Sequence, residues 1–143
     1  MGIIYPLIMW FWVGPLESIS AYFLTPAQFL FLLFNAGTSF YFVSTKNWLV
    51  PGVLLLLLSC FSIQFFQNIH NVFAISFFIA SLVSIFRSKR YKWLGFGVIS
   101  GLFGLFNSIF LAEYIAIVFI SIFHILILKD FYIIKKKRHK ILV

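Results

Sequence analysis

Between two long apolar runs stands Arg87-Ser88-Lys89-Arg90-Tyr91-Lys92, four cations in six residues. A segment this basic does not enter hydrocarbon, so it must lie at one end of whatever the apolar runs build. Short cytoplasmic loops of membrane proteins are enriched in Lys and Arg. The stretch therefore predicts a cytoplasmic loop between two membrane spans. Fixing its side fixes every other loop by alternation.

Composition points the same way. Of 143 residues, 63% are hydrophobic and 10% charged, and the mean hydropathy is +1.09. An ordinary soluble domain carries about 25% charged residues, so too little polar surface remains here to cover a soluble core. A helical span needs roughly 20 apolar residues. The chain has room for five or six of them and none for a separate soluble domain. A net charge of +8 would suggest nucleic acid in a soluble protein. Here the bases flank apolar runs, where positive-inside bias and anionic headgroups account for them, and no nucleic-acid partner is expected. Cys60 is the sole cysteine and lies in an apolar run, so there is no disulfide framework and no zinc spacing. No metal and no cofactor is expected. The N-terminus lacks the basic region and cleavage pattern of a signal peptide and is read as retained. Phe supplies 21 of the aromatic residues and is read as lipid-facing bulk.

The fold class predicted is an all-α integral membrane bundle of six helices, five if the first run does not cross. Its spans fall at about 3–24, 26–45, 48–66, 72–86, 93–111 and 113–128. These form one domain over 1–128, followed by a basic cytoplasmic tail over 129–143. The first run is interrupted by Gly14-Pro15, where a break or kink is required because proline removes a backbone hydrogen bond. It is either one kinked span or a half-span followed by an interfacial turn. Thr25-Pro26 reads as N-cap and first helical position of the second span. Gln67-Asn68-Ile69-His70-Asn71 reads as an uncharged polar turn, and Ala112-Glu113 as a tight hairpin. With both termini inside, all eleven Lys and Arg fall on the inner side and Glu17 and Glu113 outside. The orientation suits a bacterial inner membrane.

In lipid, helices associate through close contact at small residues. Gly97, Gly101, Gly104 and Ser108 make one stripe on the fifth span, and Ser76, Ala80 and Ser84 another on the fourth. These predict a packed four–five interface, or else a helix free to bend in a gate.

Few side chains carry chemistry. Asn35, Gln64, Asn107 and His124 lie in or near spans and are candidates for a substrate path, each with a structural alternative as a hydrogen-bonded packing group. A lone intramembrane histidine is a functional hypothesis by default. Glu17, His70 and Glu113 are expected at the outer face, where two carboxylates and an imidazole could bind a cation or exchange protons. Glu17 is the leading candidate of the three. It sits beside the expected kink, where a carboxylate is costly without a role. No nucleotide-binding loop, nucleophile elbow or metalloprotease motif occurs.

From Val72 to Lys137 the layout resembles one three-helix unit of the PQ-loop and SWEET-type transporters. The likeness lies in a span, the basic loop Arg87–Lys92, a second span, a short outer hairpin at Asn107–Glu113 and a third span ending at Lys129. The Pro-Gln dipeptide of that family is absent. The resemblance implies a small-metabolite carrier with Asn35, Asn107 and His124 near the path. The function expected, from the position of Glu17 and the glycine-rich fifth span, is a carrier or channel-like protein for a small solute, working as a homo-oligomer because six short helices leave little interior for a pathway. The alternatives are an accessory subunit with a membrane-protein partner, and an enzyme acting on a lipid-linked substrate at the outer face. The lipid bilayer, with anionic headgroups at the basic loop and tail, is the remaining partner.

Overall fold

Gly14 stops the first helix. Its φ is +99°, a region open to glycine and costly for residues with a side chain, and Pro15 then removes a donor. In this computed structural model, which describes residues 4–45, 47–61, 63–104 and 106–141, α1 accordingly runs Ile4–Val13. Ten residues rise about 15 Å, half of a hydrocarbon layer roughly 30 Å thick. The expected span over 3–24 is thus not one helix. The chain turns and forms a separate 3-10 helix, Ile19–Leu24, capped by Ser18, whose hydroxyl accepts from the Ala21 N–H at 3.1 Å.

Thr25 closes that 3-10 helix instead of capping the next one. Its hydroxyl donates to the Tyr22 carbonyl at 2.8 Å and accepts from the Ala27 N–H at 3.1 Å. The remaining helices are α2 (Gln28–Ser44), α3 (Leu49–Cys60), α4 (Ile63–Phe86), α5 (Leu94–Gly104) and α6 (Ile109–Ile141). All regular structure among the described residues is helical. The side chains of Leu102 and of residues 134–141 lie outside the description, as does Lys46. The expected inner placement of Lys46 and of the tail bases from Lys135 to Lys140 therefore falls on residues not described here.

Several boundaries differ from expectation. The polar stretch Gln67–Asn71 is helical and belongs to α4, which is kinked at Phe66 (φ −135°, ψ 43°). The chain reverses earlier, after Cys60. Polar residues without charge, glycine or proline can continue a helix, and these do. The α5–α6 connection lies at Phe106–Ser108, and Ala112 and Glu113 are inside α6. Ser108 starts α6 as an N-cap, its hydroxyl accepting from the Leu111 N–H at 3.0 Å. At the other end, α6 continues to Ile141 through the region expected to be a separate tail. Among the described residues, α4 and α6 are the two helices long and apolar enough to cross a membrane by length and composition, while α1, α2 and α3 are shorter apolar helices.

Two apolar clusters hold the bundle. One gathers Tyr5, Met9, Ile19, Tyr22 and Phe31 from α1, the 3-10 helix and α2. The other joins Phe42, Trp48, Leu55, Phe77, Ile85, Leu94 and Phe123 across α2 to α6. The glycine stripe of α5 faces α6, not α4. A Cβ on Gly101 would stand 2.9 Å from the Ala112 carbonyl oxygen, and one on Gly104 2.9 Å from the Ala112 backbone. This corrects the expected four–five interface. The connection is short, so α5 folds directly back on its successor, and α4 packs mainly on α3. Ser84 of the other stripe ties α4 to the α2–α3 connection, donating to the Asn47 carbonyl at 3.1 Å. Ser76 and Ala80 are half-buried on α4.

The basic loop is a turn over Arg87–Trp93, as expected. Asp130 pins it to α6 by accepting from Arg90 Nη1 and from the Tyr91 hydroxyl, each at 2.7 Å. The hydrogen bond to Asp130 raises the Tyr91 phenol above its usual pKa. Much of the exterior is apolar. Phe65, Val72, Ile75, Ile79 and Val83 of α4 and Ile125, Leu128 and Phe131 of α6 are all exposed.

Candidate functional site

The site grows from two helix starts that satisfy each other. The first N–H groups of any helix lack intrahelical partners. At the start of α6, the Phe110 N–H donates to the Glu17 carbonyl at 2.9 Å. At the start of the 3-10 helix, the Ile19 N–H donates to Glu113 Oε2 at 2.6 Å. This crossed pair fastens the connection 14–18 to the first turns of α6. The Tyr22 hydroxyl secures the same connection by donating to the Gly14 carbonyl at 2.7 Å.

Beneath this clasp lies a cavity of about 60 Å³. That is space for a few water molecules. Its walls are mostly apolar, with Phe31, Phe42, Leu55, Leu58 and Phe77 among them, and its polar members are Tyr5, Ser20, Asn35, Thr38, Glu113 and Ser121. Tyr5 of α1 and Asn35 of α2 are buried, and the tyrosine hydroxyl donates to Asn35 Oδ1 at 3.4 Å. Four different helical elements thus each send at least one polar side chain to a common interior space. Such a space can hold a small cation or a small hydrogen-bonding solute, with one carboxylate to balance charge.

The structure sorts the candidate residues. Asn35 and Glu113 line the cavity. Glu17 does not. Its side chain is exposed on the 14–18 connection and only its carbonyl meets α6. The reason is the break after Gly14, which leaves Glu17 at a bend in the connection and not on a helix face. Asn107 is exposed in the α5–α6 connection, and Gln64 is exposed in the first turn of α4. Neither lines the cavity. His70 is buried in α4, with Nδ1 2.8 Å from the Phe61 carbonyl oxygen. Glu17, His70 and Glu113 do not come together. Among the described residues, no group of three or more His, Cys, Asp or Glu could hold a metal.

His124 occupies a different place. It is buried, with its ring centroid 4.1 Å from that of Trp48, 4.6 Å from Phe42, 5.4 Å from Tyr41 and 5.6 Å from Phe123. Neither ring nitrogen has a hydrogen-bond partner. Phe42 is shared, since it also lines the cavity.

Tyr5, Ser20 and Ser121 were not singled out from the sequence. Ser121 had a readable signal. Asn107-Ser108 before an apolar run is an N-cap pattern. Starting the helix there puts Glu113, Ile117, Ile120 and Ser121 on adjoining turns of one helix. Tyr5 and Ser20 reach the cavity only through the fold-back after Gly14. No protein-family model, curated protein or solved structure matches the chain.

Proposed function

We propose that this chain is a multi-pass membrane protein that binds a small cation or small polar solute in its central cavity and carries it across the bilayer. The observation that supports the reading is Glu113, a half-buried carboxylate that lines the cavity together with the buried Asn35 and Tyr5. An ionisable group at such depth is expensive unless it serves a purpose. Support for the membrane comes from the exterior. Monomeric soluble proteins rarely expose contiguous apolar surface beyond a few hundred Å², whereas α4 and α6 expose long apolar rows. In this reading α4 and α6 each span the bilayer and the shorter α2, α3 and α5 lie within it packed on them, with the basic loop on the cytoplasmic side, and α1 with the 3-10 helix plugs the opposite end above the cavity.

A cavity of about 60 Å³ also suits a second reading, that of an accessory subunit whose apolar exterior packs on a larger membrane partner. The two readings part in one experiment. Purified protein is reconstituted into vesicles and screened for uptake of small cations and polar solutes, with thermal unfolding measured alongside. The carrier reading expects one solute to be taken up and to stabilise the protein. Glu113→Gln retains an acceptor for the Ile19 N–H, so it should unfold within about 1 kcal/mol of wild type while losing uptake and solute-induced stabilisation. Unchanged uptake in that variant would sink the proposed role. Failure of the whole screen, with a stoichiometric co-purifying membrane protein, would favour the accessory subunit.

A further inference from the structure

Glu113 and His124 stand eleven residues apart on α6. At 100° per residue this returns to within about 20° of the same face, and the helical rise separates the two by about 16 Å. Ile117, Ile120 and Ser121 occupy the turns between them and line the cavity. Phe42 closes the row. It lines the cavity on one side and stacks on the His124 ring on the other, with planes 20° apart. A single aromatic ring therefore lies between the carboxylate-lined space and the imidazole.

The imidazole is housed unusually. Buried polar groups nearly always find a hydrogen-bond partner, yet both nitrogens of His124 are buried and unpartnered. Four aromatic rings surround it instead. Phe42 stacks its face on the imidazole and the other three rings stand at steep angles to it; such packing suits a neutral ring, and a ring face also attracts a cation. Burial opposes a charge at this position, and the ring faces offset part of that cost.

We infer that Glu113 and His124 are two proton-binding sites on one face of α6, divided by Phe42, and that the proton is the ion coupled to transport. The inference deepens the carrier reading and rests on it. One proton is followed throughout. Arriving in the cavity, it converts the Glu113 carboxylate to the acid. When the Phe42 ring swings out of the row, water spans the gap, and passage of the proton restores the carboxylate and makes His124 an imidazolium. Leaving toward the basic loop, it restores the neutral ring. No other bond forms or breaks.

The titratable neighbours are few. Around His124 they are Tyr41 of α2 and, one ring further out against Phe123, Tyr91. Around Glu113 they are Tyr5 across the cavity and Glu17, whose carboxylate is exposed. The other buried imidazole, His70 of α4, is engaged at the Phe61 carbonyl.

Trp48 lies against His124, and an imidazolium quenches indole fluorescence more strongly than neutral imidazole. Replacing Trp10, Trp12 and Trp93 with Phe leaves Trp48 as the only reporter. A pH titration of this protein in detergent should show one quenching step, absent after His124→Phe and after His124→Gln. Glu113→Gln should move the midpoint toward acid, by at most roughly 0.7 pH unit, the limit for a fully ionised carboxylate about 16 Å away at an effective dielectric of about 20. A flat titration, a step that survives both His124 variants, or a midpoint indifferent to Glu113→Gln would each overturn the proposal. Should the His124 variants fail to fold, ring-nitrogen NMR shifts of histidine-labelled wild-type protein read the same event. Invariant His124 shifts would then overturn it. The titration uses no solute, so its outcome stands apart from the uptake screen. Normal uptake with a flat titration removes proton coupling alone, and a null screen with an intact coupled titration removes the solute reading alone.

Discussion

Glu113 and His124 occupy one face of one helix, and the chain surrounds them in opposite ways. Around Glu113 it leaves room. The carboxylate takes one backbone N–H and borders a cavity with five other polar side chains. Around His124 it leaves none. Four rings close on the imidazole and supply it with no hydrogen bond. Space with a few convergent polar groups is where a ligand fits. A filled aromatic box is where packing energy is concentrated, because aromatic side chains bury the largest areas. The same helix thus carries a site that should tolerate loss of side-chain volume and a site that should not.

The largest effect should come from attacking the filled end. Trp48 is fully buried and touches Phe42, Phe123 and His124. Trp48→Ala should cost about 3–5 kcal/mol, the range for large aromatics removed from a core, read as a drop in unfolding temperature in detergent. A small loss of stability there would break the contrast, since the box would then not be the packed end. A middle-sized effect tests the frame shared by both ends. Gly101→Leu drives a side chain into the Ala112 backbone and should cost about 1–3 kcal/mol by overpacking. A Cβ on Gly37 would meet no atom within 4 Å, so Gly37→Leu should leave the unfolding temperature near wild type. Equal losses at both glycines would mean that α5 is not seated on α6 as described. The smallest effect sharpens the open end. Glu17→Gln changes an exposed side chain that borders no cavity, so stability should stay within about 0.5 kcal/mol and uptake should be unchanged. Loss of uptake in that variant would return the site to the connection and away from Glu113.

The helical class and the basic turn at Arg87–Trp93 were readable, because charge clusters and long apolar runs exclude most alternatives. The stop at Gly14 was readable for the same kind of reason, since a Gly-Pro pair leaves the backbone little choice. Asn35 was readable as a lone amide in an apolar run. The site as a whole was not. Its carboxylate was assigned to Glu17 because hydropathy alone cannot say which of two carboxylates lies inside. That depends on whether the hairpin turns at Ser108 or at Ala112. The N-cap hydroxyl of Ser108 settles the matter by four residues, and so turns Glu113 from a loop residue into a helix residue. The glycine stripe was correctly seen as a contact face but given the wrong neighbour. A stripe shows that something comes close and does not show which helix does. The turn at Phe61 carries no glycine, proline or charge. It arises where α3 and α4 pack, which no local pattern records.

The length of α6 has a mechanical side. Its 33 residues run unbroken from the cavity to Ile141, about 50 Å at 1.5 Å per residue, some 20 Å more than a hydrocarbon layer of about 30 Å. A rod of this kind acts as a lever. With its fulcrum at the His124 box, a tilt of about 5° would swing the basic end by about 2 Å and the Glu113 end by about 1.4 Å in the opposite direction. In a cavity that holds only a few waters, a displacement of that size is a large fraction of the available width. Whatever pulls on the basic end of this rod, be it a charged surface or another protein, also has its hand on the clasp at the other.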